Sequence, residues 1–200
     1  MWMHNGGIGG WKYVKRQLAV SISDRWFESV QGGTDSEWAF ALFLDRLEAA
    51  GVDPDETPTE GGFGHAVLRG AMLETIAKIN EFIKNIPADK AVDIDTRSLL
   101  NFAVTDGSSV VCTRYVGSKT DEAASLYFSS GTSWKQEAEG VFKMERRDKG
   151  ADIVLVASEP LTFERGMSSL CSWFCIDNPF QTTGSLCLQI RLSQYTGRQS

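Results

Sequence analysis

The sequence predicts an α+β domain, with helices packed on one face of an antiparallel sheet. Three observations carry this expectation. Apolar residues recur at helical spacing through the first half, at Val14, Leu18 and Ile22 and again from Trp38 to Ala50. From about Ser98 the pattern shortens to strand-like runs such as Leu99 to Thr105. The change happens once, so helices precede strands instead of alternating with them.

The elements follow in order. Gly6, Gly7, Gly9 and Gly10 crowd the start, which reads as tight, permissive backbone and not as a helix interior. Helical periodicity begins near Trp11, and Ser23 is placed to cap a short turn from Asp24 to Val30 that Gly32-Gly33 ends. Thr34 with Glu37 three residues on has the pattern of a capping box, opening a helix that closes at Gly51. Asp53 to Gly62 is a loop, and Phe63 to Ile86 a long amphipathic helix stopped by Pro87. Leu99 to Thr105, Val110 to Val116, 125–129, 141–146 and 152–157 read as strands of an antiparallel meander, with Asp106-Gly107 as the first turn.

Two hundred residues suit one domain with a tail: residues 1–165 as the domain and 166–200 as a divergent tail without clear periodicity. The net charge of −6 argues against a nucleic-acid partner. No apolar run reaches the roughly 18 residues a membrane helix needs, so no membrane partner is expected. The start, Met1-Trp2-Met3-His4, lacks the basic and apolar regions of a signal peptide, which leaves a cytoplasmic location. Cys112 falls inside a strand, where a buried thiol is the ordinary state. Cys171 and Cys175 are spaced C-x3-C, with Cys187 further on, and no second ligand pair accompanies them, so reduced thiols are expected and no metal or other cofactor.

Two short segments carry chemistry. One is His4-Asn5-Gly6-Gly7-Ile8 and the other is Gly33-Thr34-Asp35-Ser36-Glu37 at a helix start. Each has a plain structural reading. Asn-Gly is the commonest hairpin-turn dipeptide, and a capping box caps whatever else it does. His4 alone supports a loop, Arg114 in a strand pairs at a surface, His65 is a surface or half-buried histidine on a helix, and Ser158-Glu159-Pro160 ends a strand.

Together the two segments resemble the Asn-Gly and Thr-Asp-Ser-Glu signatures of class II glutamine amidotransferases, which are N-terminal-nucleophile hydrolases. The resemblance runs from about Trp2 to Glu164 and includes Ala103-Val104-Thr105-Asp106-Gly107, Thr113-Arg114-Tyr115, Ala124 to Gly131 and Ala157 to Thr162. Within the family these segments look like the fungal amidotransferase subunit of the cytosolic glutathione-degradation complex. The resemblance implies a four-layer αββα sandwich and hydrolysis of a γ-glutamyl amide, in glutamine or a γ-glutamyl peptide. It implies Asn5 and Gly6 as the oxyanion donors, Asp35 as the acceptor of the substrate's ammonium group, and a peptidase-like partner subunit.

The family's nucleophile is a cysteine at the mature N-terminus, and an early strand supplies an arginine for the substrate carboxylate. Neither aligns with this sequence, in which Trp2 follows Met1, and after Thr162 it also departs from the family pattern. The expectation is therefore a sandwich without its first strands, from an altered reading frame at both ends or a truncated paralogue. Such a chain is inactive alone and prone to associate through open sheet edges. The alternative is a non-catalytic module that binds a γ-glutamyl ligand or docks a partner.

Overall fold

The computed structural model describes residues 1–56, 62–145, 153–161, 168–169 and 186–191. The fold is α+β, as the single change of period predicts. The chain opens with β1 (Trp2–Gly7), followed by α1 (Trp11–Ser21), α2 (Asp24–Ser29), α3 (Asp35–Ala49), α4 (His65–Lys84) and the short α5 (Ala88–Ala91). The strands follow: β2 (Leu99–Thr105), β3 (Ser109–Arg114), β4 (Tyr127–Gly131), β5 (Ser133–Ala138), β6 (Val141–Glu145), β7 (Ile153–Ala157), β8 (Ser168–Ser169) and β9 (Leu186–Arg191).

The strands do not form one meander. β1, β2, β3 and β9 make a four-stranded sheet in that order, β7, β4 and β8 make a second sheet, and β5–β6 is a separate ribbon. The helices cover one face of the first sheet. Leu100, Phe102 and Val104 of β2 and Val111 of β3 meet Val14, Leu18, Leu42, Phe43, Leu47, Leu68, Met72 and Ile79 in one buried cluster. The alternate residues Ala103, Val110 and Cys112 point the other way and pack with Leu126, Phe128 and Val156 of the second sheet. Helix layer, sheet and second sheet are three of the four layers of the expected sandwich.

Local chemistry explains the boundaries. Thr34 accepts from the Glu37 main-chain N–H at 3.4 Å, so α3 begins as predicted. The reciprocal half of the box goes elsewhere: the Glu37 carboxylate accepts from the N–H groups of Gln31 and Gly32 at 2.8 and 3.0 Å. Ser23 makes no side-chain cap to α2, and its N–H donates to the buried Asp45 at 2.9 Å instead. Asp106 shapes the β2–β3 turn by accepting from Ser108 and Ser109, and its second oxygen accepts from Phe63 ahead of α4.

The N-terminal segment differs most from expectation. Residues 2–7 are an edge strand paired antiparallel to β2, with Asn5 opposite Asn101 and Gly6 opposite Leu100. Asn5-Gly6 is therefore not a hairpin turn. Glycine content masked the strand, but Trp2 and His4 fill its inner face against Phe102, with ring centroids 4.6 Å away in each case. From the expected tail, the β8 and β9 main chains pair with β4 and β3 respectively. Arg146, Asp152, Cys171, Cys175 and the side chain of Cys187 lie outside the described residues.

Candidate active site

β1 presents the first motif. Its alternation sends Trp2 and His4 toward the helices and Met3 and Asn5 to the opposite face. Asn5 is exposed, and its amide makes no hydrogen bond to any described residue. Directly opposite, the Asn101 amide is buried and fully used. It donates to the carbonyls of Ala124 and Ser125 at 3.1 and 3.2 Å and accepts from the Tyr115 N–H at 3.3 Å. The Arg114 guanidinium donates to the carbonyls of Ala123 and Ala124 at 2.7 and 3.0 Å, so it holds a loop instead of pairing at a surface. The two side chains tie the first sheet to the segment that leads into β4.

Gly6 has a φ of 138°, and a Cβ there would overlap the Leu99 carbonyl oxygen. Only glycine fits. Gly7 follows, and Gly9 approaches Thr96 too closely for a side chain. Its N–H donates to the buried Ser98 hydroxyl oxygen at 2.9 Å. The main chain of 6–7 is thus bare of side chains, on an edge strand.

α3 delivers the second motif to the same end of β1. One oxygen of Asp35 accepts from the Ile8 N–H at 2.8 Å and the other from the Ser36 N–H at 2.9 Å. The position also lies in the first turn of a helix, which favours a carboxylate. The Asp35 carboxylate consequently lies against Gly7 and Ile8, and two glycines separate Ile8 from Asn5 in sequence. The Asn5 side chain, exposed on the same strand, makes no hydrogen bond to the Asp35 carboxylate.

His4 and Ser36 join the motifs from behind. His4 Nδ1 is 2.8 Å from the Ser36 hydroxyl, and Nε2 is 3.2 Å from the Leu99 carbonyl oxygen. Burial pushes the imidazole below its ordinary range, against smaller opposing effects of the Leu99 carbonyl and the Asp35 charge. A charged cavity of about 260 Å³ lies at the Leu99 end of β2, lined by Asp95, Arg97, Leu99, Val116, Asp121 and Glu122. Neither Asn5 nor Asp35 lines it. Cys112 is 1% exposed within the cluster between the sheets. Among the described residues no cluster of His, Cys, Asp and Glu is arranged to hold a metal ion.

The chain is 53% identical over 164 residues, 82% of its length, to a protein of Saccharomyces cerevisiae described as "Probable glutamine amidotransferase DUG3". The chain belongs to the glutamine amidotransferase family. It spans 45% of the length of that curated relative. A solved structure of a glutamine aminotransferase class-II domain protein from Silicibacter pomeroyi is 25% identical, with a TM-score of 0.45 over 65% of this chain and 49% of its own. No family model matches. No helix among the described residues of this amidotransferase-family chain is long and apolar enough to cross a membrane.

Sequence reasoning singled out Asn5, Gly6 and Asp35 but not Asn101, Ser98 or the Ser36–His4 contact. A signal for Asn101 was present, since it is the one amide inside an otherwise apolar strand, Leu99 to Val104. Nothing local marks Ser98 as a buried acceptor or Ser36 as the partner of an imidazole.

Proposed function

We propose that this chain carries the γ-glutamyl-binding half of a class II amidotransferase site. The Asn5 amide and the Gly6 N–H face the γ-carbonyl oxygen, and the Asp35 carboxylate takes the α-ammonium group. The supporting observation is the Asp35–Ile8 hydrogen bond of 2.8 Å, which fixes the carboxylate at the end of the bare glycine stretch. Each Asp35 oxygen accepts one main-chain N–H there and keeps a lone pair for an ammonium donor.

The reaction class is hydrolysis of a γ-glutamyl amide. A nucleophile adds to the carbonyl carbon and gives up its proton, the oxyanion that forms is held by the two donors, the C–N bond breaks as the amine takes that proton, and water then releases the glutamyl group from the nucleophile. Donors aimed in advance at that oxygen each contribute about 10²–10³ in rate. Cys112 is not the nucleophile, because it is buried between the sheets. The donors and the ammonium acceptor are the groups this chain contributes in this reading, and binding of the γ-glutamyl head group is the property assigned to them. Glutamine and γ-glutamyl peptides share the recognised head group, and a cytoplasmic location suits both.

A second reading, docking of a peptidase-like partner subunit, is favoured by one observation. β1 is the edge of its sheet, and its outer main chain pairs with no described strand. Such an edge is a template for a further strand.

Titration calorimetry with L-glutamine tests the first reading, using the unaltered protein and Asp35→Asn. Loss of a charge-assisted hydrogen bond weakens binding by about tenfold or more. Equal affinity of the two proteins, or no binding to either, refutes the assignment.

A further inference from the structure

We propose that His4 is a positioning residue of this site: its neutral imidazole ties β1 to the first turn of α3 through Ser36, and its protonation sets a positive charge beside Asp35 that opposes a ligand's ammonium group. This rests on the reading of Asp35 as an ammonium acceptor.

The hydrogen bonds fix the state of the ring. Nε2 faces the Leu99 carbonyl oxygen at 3.2 Å, which can only accept, so Nε2 carries the proton of the neutral ring. Nδ1 then offers a lone pair, and the Ser36 hydroxyl donates to it at 2.8 Å. The Ser36 main-chain N–H donates to Asp35 Oδ1 at 2.9 Å. Ser36 thus joins the two groups, its side chain bonded to the imidazole and its main-chain N–H to the carboxylate. These contacts begin on the strand that carries Asn5 and end on the group proposed to hold the ligand. The Phe102 ring, 4.6 Å from the imidazole centroid, covers the ring from β2.

Protonation disturbs this network in two ways. Nδ1 gains a hydrogen, so the bond to Ser36 must reverse and the serine proton must find another acceptor. The new charge also acts on Asp35. Asp35, from α3, acts on the imidazole through its charge, and β2 presents the Leu99 carbonyl and the Phe102 ring to it. Coupling of this kind is reciprocal. A bound ammonium and the imidazolium repel across Asp35, so protonation of His4 weakens ammonium binding by the same factor by which the bound ammonium opposes protonation of His4. Burial keeps the ring neutral near neutral pH, which preserves the full charge of Asp35 for the ligand.

The test is the affinity for L-glutamine between about pH 5.5 and pH 8, the range in which histidine titrates. The unaltered protein is expected to lose at least about fivefold in affinity on acidification, the low end of ordinary coupling between sites. His4→Gln binds more weakly throughout but loses the acid-dependent fall, while His65, the other histidine of the chain, stays in place. Ser36→Ala weakens binding and keeps the fall. 4-Carbamoylbutanoate, which lacks the ammonium group, shows no His4-dependent fall. An acid fall of the same size in His4→Gln overturns the role of His4 while leaving that of Asp35 standing. No binding of L-glutamine to the unaltered protein at any pH sinks both. Imidazole ¹⁵N shifts of the unaltered protein give a ligand-free check: a ring protonated on Nδ1 instead of Nε2 at neutral pH also overturns the proposal.

Discussion

Replacing Gly6 with alanine isolates the backbone requirement at the centre of the proposed site. Gly6 has a φ of 138°, a conformation that a side chain makes costly, at about 1–3 kcal/mol. The added Cβ would overlap the Leu99 carbonyl oxygen and lie 2.7 Å from its carbon and 3.1 Å from the Leu99 Cβ. The first two are main-chain atoms of the paired strand, so no rotamer change relieves the clash. Forcing a methyl group into such a space costs about a further 1–3 kcal/mol. The total is about 2–6 kcal/mol, and its lower end alone corresponds to a Tm decrease of about 4 °C or more for a chain of this size. Urea unfolding followed by tryptophan fluorescence measures it, since Trp2 in the same strand stacks on Phe40 and packs on Phe102. Gly7→Ala is the internal control. Its Cβ would meet only Asp35 Oδ2, at an ordinary 3.6 Å, and its φ is not in the left-handed region. Gly6→Ala must therefore cost clearly more than Gly7→Ala. Equal costs, or a Gly6→Ala cost below about 0.5 kcal/mol, would refute the steric reasoning.

Other perturbations have outcomes that follow from the same contacts. Ser98→Ala strips the buried Gly9 N–H of its acceptor and is expected to lower stability by about 1–3 kcal/mol in urea titration. Asn101→Ala removes the donors to Ala124 and Ser125 and the acceptor of Tyr115 N–H; hydrogen exchange is expected to rise at Tyr115 and in the segment leading into β4. Phe102→Ala, at a side chain 1% exposed, is expected to cost about 3–5 kcal/mol in chemical denaturation. Stability should also depend on pH through His4. Its folded pKa lies below the ordinary 6.5, so the unfolded chain binds the proton first. The stabilising contribution is complete above about pH 6.5 and is lost as the pH falls through the folded value; that acid slope should be shallower in His4→Gln.

The sequence alone determined what depends on neighbours along the chain. Helical spacing at Val14 and Leu18, the Thr34 cap and Gly51 placed the helices, and Asp106-Gly107 placed the β2–β3 turn, because each is decided within a few residues. It also isolated Asn5, Gly6 and Asp35 through two motifs. Tertiary structure decided what depends on pairing over distance. β1 is a strand because β2 pairs with it and because Trp2 and His4 find a covered face, although its glycines argue locally for a loop. Glu37 turned from its own cap to Gln31 and Gly32, and β4 left the meander for β7, since burial and satisfied main-chain groups outweigh local preference. The Asp35 carboxylate meets Ile8 only because α3 packs across the sheet. No pattern in the intervening residues encodes that contact; the shared core beneath it does.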